Sequence, residues 1–212
     1  MRPVICMITD GSLGMGQSVE MLLARVTVAA TAGVHLIQVR EHALDDRTLL
    51  HVVQQCLDVV RGTRARVIVN DRLDVALASS AHGVHLKSGS VPPKRARTIT
   101  PAGFLIGQSV HSAAEAAAAG QSADYVIFGT VFESSSKPGR TPAGSAALGD
   151  AVRATAVPVL AVGGVTADNA ADVARGGAAG VAAIGLFASD RAGTVSAVDR
   201  IIRAFDLPMT GS

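Results

Sequence analysis

A histidine that comes directly after an apolar run is the first candidate for chemistry in this chain. His111 follows the run 104–106 within the segment Ile106-Gly-Gln-Ser-Val-His-Ser112. Side chains at the carboxyl ends of parallel strands lie at one edge of the sheet, which is where active sites of α/β proteins form. An imidazole there can donate or accept a proton near neutral pH. We therefore predict that His111 is a catalytic acid or base.

Polar side chains also end the second and third apolar runs. Alternation along a strand places Gln38 and Arg40 on one face, in the interior of the fold or at its mouth. A guanidinium there can hold a carboxylate or phosphate through paired hydrogen bonds, or it can form a structural ion pair with Glu41. After the third run, Asn70 could orient a ligand, and Asp71 could either cap the next helix or bind Mg2+.

Two glycine-bearing turns after the last two apolar runs indicate a phosphate site. The sequences are Val162-Gly-Gly-Val165 and Ala183-Ile-Gly-Leu186. Glycines let backbone amides approach an anion, and (β/α)8 barrels often bind phosphate with their last two loops. One such turn alone would more often be only a tight turn, whereas two at adjacent strand ends favour phosphate. The predicted phosphate-binding residues are Gly163, Gly164, Ile184 and Gly185.

These residues must be positioned by a regular alternation of strands and helices. Continuous apolar runs followed by helical patterns are typical of a parallel sheet buried on both faces, and eight such units in this length favour a closed (β/α)8 TIM barrel over an open sheet. We predict one barrel domain over residues 1–206 and a short frayed tail over 207–212. The predicted strands are 4–8, 35–39, 65–69, 83–86, 104–106, 125–128, 157–162 and 180–184. The predicted helices are 19–32, 44–60, 73–80, 113–119, 145–154, 169–175 and 195–205, with a short one possible at 92–98.

The composition limits the classes of function. The chain has 212 residues, 49% of them hydrophobic, and a net charge of +2 with no basic run. This balance argues against a nucleic-acid partner, and no segment is long and apolar enough to predict a membrane span. Cys6 and Cys56 have no metal-ligand spacing, so we predict that both are buried apolar residues. We expect a cytoplasmic protein with a small-molecule ligand.

One loop and a set of short motifs complete the pattern. The loop 132–144 after the sixth run is polar and rich in glycine and proline, which predicts a lid or binding element. Lys137 within it could reach an anion or stand in solvent. Seven short motifs follow one another along the chain, each present once. They are Gln38-Val-Arg-Glu, Val69-Asn-Asp-Arg-Leu-Asp74, Gly83-Val-His-Leu86, the Ser-Val-His that ends at His111, Ala123-Asp-Tyr-Val126, Gly129-Thr-Val-Phe132 with Ser136-Lys137, and Val162-Gly-Gly164.

In this order, the motifs resemble the thiamine phosphate synthase superfamily over nearly the whole chain. Thiamine phosphate synthases join a pyrimidine diphosphate to a thiazole phosphate and need Mg2+. Their pattern has a lysine where this chain has His42, and a metal-binding aspartate where it has Ser90. Losing one of two carboxylates weakens a Mg2+ site, since Mg2+ depends on few protein ligands. Asp71, which matches the other carboxylate, is retained.

These departures are similar to the TenI branch of the superfamily, whose members are thiazole tautomerases. The resemblance implies isomerisation of a non-aromatic carboxythiazole phosphate to its aromatic tautomer, with no cofactor and no metal, in a homodimer. His111 would transfer the proton and Arg40 would hold the carboxylate. The resemblance also implies further substrate-binding residues: Gln38, Asn70, Thr130, Ser134, Ser136 and Lys137.

Two alternatives to the tautomerase stay open at this point. The first is a Mg2+-dependent thiamine phosphate synthase in which Asp71 binds the metal. The second is a regulator that binds thiazole phosphate without turnover, because a barrel can keep a phosphate pocket after losing its chemistry.

Overall fold

The strands of this protein form one closed parallel barrel. The computed structural model describes residues 2–13, 15–134, 139, 141–188 and 190–206. Each strand pairs in parallel with its neighbours in sequence, and the first strand closes the barrel against the last. The strands in these residues are β1 (Val4–Ile8), β2 (Leu36–Val39), β3 (Arg66–Asn70), β4 (Gly83–Leu86), β5 (Leu105–Val110), β6 (Tyr125–Gly129), β7 (Val159–Val162) and β8 (Gly180–Ala183). The prediction of a (β/α)8 TIM barrel is confirmed.

A helix follows each of these strands. Side-chain caps begin three of the helices, because Ser18, Asp45 and Ser112 each accept a hydrogen bond from a first-turn amide. A short 3-10 helix, Gly185–Phe187, lies between β8 and the last α-helix. The α-helices are α1 (Val19–Thr31), α2 (Asp46–Val59), α3 (Leu73–Ala78), α4 (Pro93–Arg97), α5 (Ala113–Ala119), α6 (Gly144–Ala154), α7 (Ala170–Arg175) and α8 (Arg191–Asp206).

Alternation along the strands divides the core into two layers. Outward-facing strand residues pack against the helices, and inward-facing ones pack against each other inside the barrel. Both cysteines are free and buried, as predicted, with Cys6 in the inner layer and Cys56 in the outer layer. The inner cluster consists of Cys6, Ile8, Leu36, Ile68, Tyr125, Ile127, Leu160 and Ala182.

The element boundaries differ from the predicted ones in two places that matter. β5 continues to Val110, beyond the predicted end at Ile106, so His111 directly follows the strand. α8 begins at Arg191, before the predicted start at Val195. The predicted frayed tail, 207–212, lies outside the described residues. Among the described helices, none combines the length and apolar composition that crossing a bilayer requires.

Closure of the barrel depends on a glycine at the seam between its first and last strands. A Cβ atom at Gly180 of β8 would lie 1.9 Å from the carbonyl oxygen of Val4 in β1. The backbone of a paired strand cannot move aside without breaking the ladder, so only glycine fits at this position.

We predict that Gly180→Ala destabilises the protein by about 3 kcal/mol, because overpacking against backbone forces the seam apart. Urea unfolding of the purified variant measures the loss. Gly89→Ala is the matched control, since a Cβ atom at Gly89 meets nothing within 4 Å. Equal stability of the two variants would show that the seam can yield.

Candidate active site

The partly buried carboxylate of Asp71 lies at the mouth of the barrel, directly after β3. Asp71 follows β3 with a φ of +65°, a left-handed conformation that aspartate and asparagine adopt more readily than other non-glycine residues. Its N–H donates to the carbonyl of His85 at 2.8 Å. Its carboxylate pairs with the Lys87 ammonium at 2.8 Å and accepts the hydroxyl of Ser90. α3 has no side-chain cap, so Asp71 reaches across to the loop after β4 instead of capping that helix.

Hydrogen bonds keep this carboxylate ionised. Partial burial by itself would raise the pKa of Asp71, but the bonds from Lys87 and Ser90 outweigh burial and lower the pKa below its usual value. His42 interacts electrostatically with the same groups. Burial is the largest cause that lowers the pKa of His42, Arg40 and Lys87 lower it further, and Asp71 acts to raise it. Arg40 and the Asp71–Lys87 pair therefore both act on His42, and the Arg40 guanidinium, which forms no ion pair within the described residues, suits an anionic ligand.

Arg40 is left available for a ligand because Glu41 has other partners. The buried Glu41 carboxylate accepts the amides of Gly11 at 3.3 Å and Leu13 at 3.0 Å, in the loop after β1. The alternative of an Arg40–Glu41 ion pair is therefore not what the structure contains. The backbone N–H of Arg40 donates to the hydroxyl of Thr9 at 2.8 Å, which fixes the end of β2 against β1.

His111 is held at the mouth in one tautomer. Its backbone N–H donates to the Glu115 carboxylate at 2.8 Å, and its ring Nδ1 lies in hydrogen-bond contact with the carbonyl of Gly129. A carbonyl only accepts, so Nδ1 carries the proton and Nε2 is left as the ring atom that can accept one. This arrangement suits the proton-transfer role that the sequence predicts for His111.

A buried polar layer forms the floor beneath the mouth. The rings of His85 and Tyr125 stack with centroids 5.7 Å apart, and the Cβ atom that Gly107 lacks would lie 2.1 Å from Cζ of Tyr125. His85 Nε2 contacts the Ser109 hydroxyl at 2.9 Å. Three buried polar atoms of the barrel interior have no partner within the described residues: Gln38 Nε2, His85 Nδ1 and the Tyr125 hydroxyl. Unpartnered buried groups are costly, so this layer is suited to a ring that carries donors and acceptors on its edge.

The two glycine turns lie on the same side of the mouth. Gly163 and Gly164 both have positive φ, +95° and +63°. A Cβ atom on Gly164 would lie 2.0 Å from the carbonyl oxygen of Glu133, and one on Gly163 would lie 2.4 Å from Cγ2 of Thr130. Close packing against the loop after β6 therefore requires these glycines, whether or not their amides also bind phosphate. By contrast, nothing lies within 4 Å of the Cβ position at Gly185.

An arginine outside the predicted set fixes the turn after β8. Arg25 of α1 donates Nη1 to the Asp10 carboxylate at 2.9 Å and Nε to the carbonyl of Phe187 at 3.2 Å. Its Nη2 is buried without a partner in the described residues. Burial acts to raise the pKa of Asp10, but bonds from Ser12 and Arg25 outweigh it and lower that pKa. Arg25 thus joins the first and last strands at the carboxyl end of the barrel.

The remaining predicted residues divide into those near the mouth and those outside the described residues. Asn70 ends β3 beside His85 of β4. Thr130 is buried, and its carbonyl accepts the amide of Ala143 at 2.8 Å, which anchors the far end of the loop after β6. Ser134 is half-buried in that loop. Ser136 and Lys137 fall outside the described residues, as does much of the predicted lid.

Three groups that the sequence reasoning did not select complete the site: Lys87, the His85–Tyr125 pair and Arg25. Lys87 directly follows β4 and could have been found by the rule that strand ends supply site residues. The stacked pair could not have been found from the sequence. His85 and Tyr125 are 40 residues apart, and they meet only because β4 and β6 both pair with β5.

Several known proteins are similar to this chain over most of its length. The model of the TMP-TENI family, described as thiamine monophosphate synthase, matches residues 5–187. A thiamine-phosphate synthase of Methanoculleus marisnigri is 42% identical over 92% of both chains, and one of Chlorobium limicola is 39% identical over 86% of this chain and 84% of its own. The structure of a thiamine phosphate pyrophosphorylase from Pyrococcus furiosus has a TM-score of 0.79 and 29% identity, covering 98% of this chain and 97% of that one.

These relatives overturn the predicted thiazole tautomerase. Proteins 36–42% identical across most of the chain are named thiamine-phosphate synthase, a transferase, so the assignment to the isomerases is wrong. The physical reason is that the assignment depended on a few positions, chiefly His42 in place of a lysine and Ser90 in place of one carboxylate, and on short segments similar to the TenI branch. A few positions carry little weight against similarity that spans most of the barrel.

Because His85 is buried, we predict that the free energy of unfolding decreases in acid. Burial lowers its pKa from the usual 6.5 to about 3, with Asp71 opposing that effect. Between about pH 6.5 and 3 the unfolded chain therefore binds a proton at this residue that the folded protein does not bind. The contribution of His85 to the free energy of unfolding is complete above about pH 6.5. It decreases as the pH falls toward 3, by at most about 1.4 kcal/mol per pH unit. Urea unfolding between pH 7 and 5 should show a shallower slope in His85→Gln. The exposed His51→Gln is the control; identical slopes in all three proteins would contradict a neutral buried His85.

Proposed function

Because the chain belongs to the thiamine monophosphate synthase family, we propose that it joins hydroxymethylpyrimidine diphosphate to a thiazole phosphate and releases diphosphate. The thiazole nitrogen would form a bond to the methylene carbon of the pyrimidine as the carbon–oxygen bond to diphosphate breaks. The observation that carries this proposal is the mouth, where Arg40, His42 and Lys87 lie around Asp71. Cations such as Arg40 and Lys87, and an N–H donor such as a neutral imidazole, can stabilise the charge that develops on a diphosphate leaving group.

The polar layer under the mouth supports a site for the pyrimidine. Gln38, His85 and Tyr125 each present a buried polar atom without a partner in the described residues, and Ser109 lies against His85. A flat ring with an amine and ring nitrogens can satisfy those groups while it stacks or packs on the apolar interior. Binding there would place the diphosphate above the ring, toward the cations of the mouth.

The mouth also fits Mg2+ that arrives with the diphosphate. Asp71 and Ser90 offer hard oxygen ligands, and Mg2+ in nucleotide sites often takes one or two protein oxygens while phosphates and waters supply the rest. Bound there, Mg2+ would neutralise charge on the diphosphate. Within the described residues, no cluster of three or more His, Cys, Asp or Glu side chains could hold a metal ion. The protein alone would therefore bind Mg2+ weakly, and the substrate would complete the site.

Other residues keep their predicted roles in this reaction. The turns with Gly163, Gly164, Ile184 and Gly185 would bind the thiazole phosphate through backbone amides, with Arg25 holding the second turn in place. His111 Nε2 can accept a proton, and its protonated form can donate to the departing diphosphate. The single domain over 1–206, the cytoplasmic location and the homodimer stay predictions.

The test is incubation of the purified protein with hydroxymethylpyrimidine diphosphate, the thiazole phosphate and Mg2+, with thiamine phosphate and released diphosphate both quantified. Equal amounts of the two products are expected, and EDTA should stop the reaction. A rise in melting temperature with either substrate and no product would instead favour a binding protein and remove the transferase proposal.

We predict that Asp71→Asn lowers the coupling rate at fixed Mg2+ by about 10–100-fold, because it removes the anionic metal ligand and leaves Lys87 without a partner. Steady-state rates over a range of Mg2+ concentrations measure this. Asp74→Asn is the matched control, since Asp74 belongs to an exposed ion pair with Arg72 on α3. An unchanged rate in Asp71→Asn would exclude Asp71 from the mechanism.

Ser90→Asp should act in the opposite direction. A second carboxylate beside Asp71 makes a two-carboxylate site, so the Mg2+ concentration for half-maximal rate should fall by about tenfold. The same rates measure it, with Ser88→Asp as the control for added charge in the same loop. If Ser90→Asp and Ser88→Asp lower the required Mg2+ concentration equally, the cause is general electrostatic attraction and not coordination of the metal at position 90.

A further inference from the structure

The amino-terminal end of the barrel, opposite the mouth, carries a run of basic groups. Arg2 precedes β1, His35 precedes β2, Arg64 and Arg66 lie at the start of β3, and His82 precedes β4. Because these strands are parallel neighbours, the five residues lie together along half of the barrel edge, which we call the basic rim. None of its three arginines forms an ion pair within the part of the chain that the structure describes.

Both histidines of the basic rim are fixed as donors. Nδ1 of His35 accepts the amide of Ile5 at 3.2 Å, and Nδ1 of His82 accepts the amide of Val67 at 3.0 Å. A neutral ring whose Nδ1 accepts carries its proton on Nε2, on the far side of the ring from the strand. Burial lowers the pKa of both histidines most, and Arg64 and Arg2 lower that of His35 further. Arg66 also lowers the pKa of His82, while the bond with Val67 opposes this in part. Both pKa values lie below the usual one, which favours neutral N–H rings near neutral pH.

A cavity coincides with one part of the basic rim. It has a volume of about 640 Å3 and is lined by Arg64, Arg66 and His82 together with the 101–104 turn. That volume is in the range of small-molecule sites. Among the described residues that line it, none is acidic. The adjoining cavity, of about 620 Å3, includes Arg61, but Asp58 pairs with that arginine at 2.8 Å and neutralises it.

Arg64 and Arg66 are exposed beside this cavity and form no ion pair with the described residues, so both guanidinium groups can meet a ligand. In (β/α)8 barrels the amino-terminal end ordinarily serves stability, whereas two arginines without carboxylate partners at one cavity are suited to an anion. Guanidinium groups bind phosphate oxygens through paired hydrogen bonds, and an imidazole N–H adds a third donor. We propose that the cavity between Arg64, Arg66 and His82 binds the phosphate group of a small anionic molecule. The site is independent of the proposed coupling reaction, since it lies at the other end of the strands, roughly 15 Å away.

Inorganic phosphate is the probe for this site. We expect it to shift the imidazole NMR signals of His82 in the wild-type protein at constant ionic strength. In Arg66→Ser, the affinity measured by calorimetry should fall about tenfold or more, because a charge-assisted pair of hydrogen bonds is lost. Arg66→Ser should keep the stability of the wild type, since Arg66 is exposed and forms no ion pair with the described residues.

Two controls locate the binding. Arg203→Ser removes one exposed positive charge from α8, and Arg40→Ser removes one from the mouth; both should leave the phosphate-dependent shift of His82 unchanged. The proposal is overturned by a His82 signal that does not move with phosphate, by equal binding in Arg66→Ser and wild type, or by an equal loss in Arg203→Ser, which would reveal only a general charge effect.

Discussion

The stacking of His85 on Tyr125 fills the inside of the barrel below the strand ends that carry the candidate site residues. The two rings come from β4 and β6, and they meet only because β5 places Gly107, which has no side chain, between them. Eight strands leave an interior just wide enough for side chains to fill it. Once this pair fills one level, nothing large can descend below it, and a ligand must bind on top of it.

The polar atoms of that layer explain why the interior is not wholly apolar. A leucine in place of His85 would pack without leaving an unpartnered nitrogen, and the barrel would lose nothing as a scaffold. Keeping a histidine with a pKa near 3, a buried tyrosine hydroxyl and a buried glutamine amide lowers stability. Functional sites are where proteins retain such groups, and this layer lies directly below the strand ends that carry Asp71 and His111.

The sequence was sufficient for the fold but not for the contacts within the site. Apolar runs located all eight strands, because outward and inward faces of a parallel barrel are both buried. The exception is informative: β5 was predicted to end at Ile106 because Gly107 and Ser109 interrupt its apolar run, yet these inward positions are small or polar to accommodate Tyr125 and His85. Local pattern also could not reveal that Glu41 binds amides 28 and 30 residues away, and therefore that Arg40 is not its partner.

The wrong prediction of the reaction has the same origin, namely contacts that the sequence does not show. Because Ser90 replaces a carboxylate, counting carboxylates alone indicates a lost metal site. In the structure, Ser90 donates to Asp71, Lys87 pairs with the same carboxylate, and the Arg40 guanidinium near His42 adds a cation. A diphosphate substrate brings its own oxygen ligands, so the protein needs fewer of them for Mg2+ to bind. What a coupling reaction requires of the protein is a place for the leaving negative charge, and that requirement can be met by cations as well as by a second aspartate that binds metal.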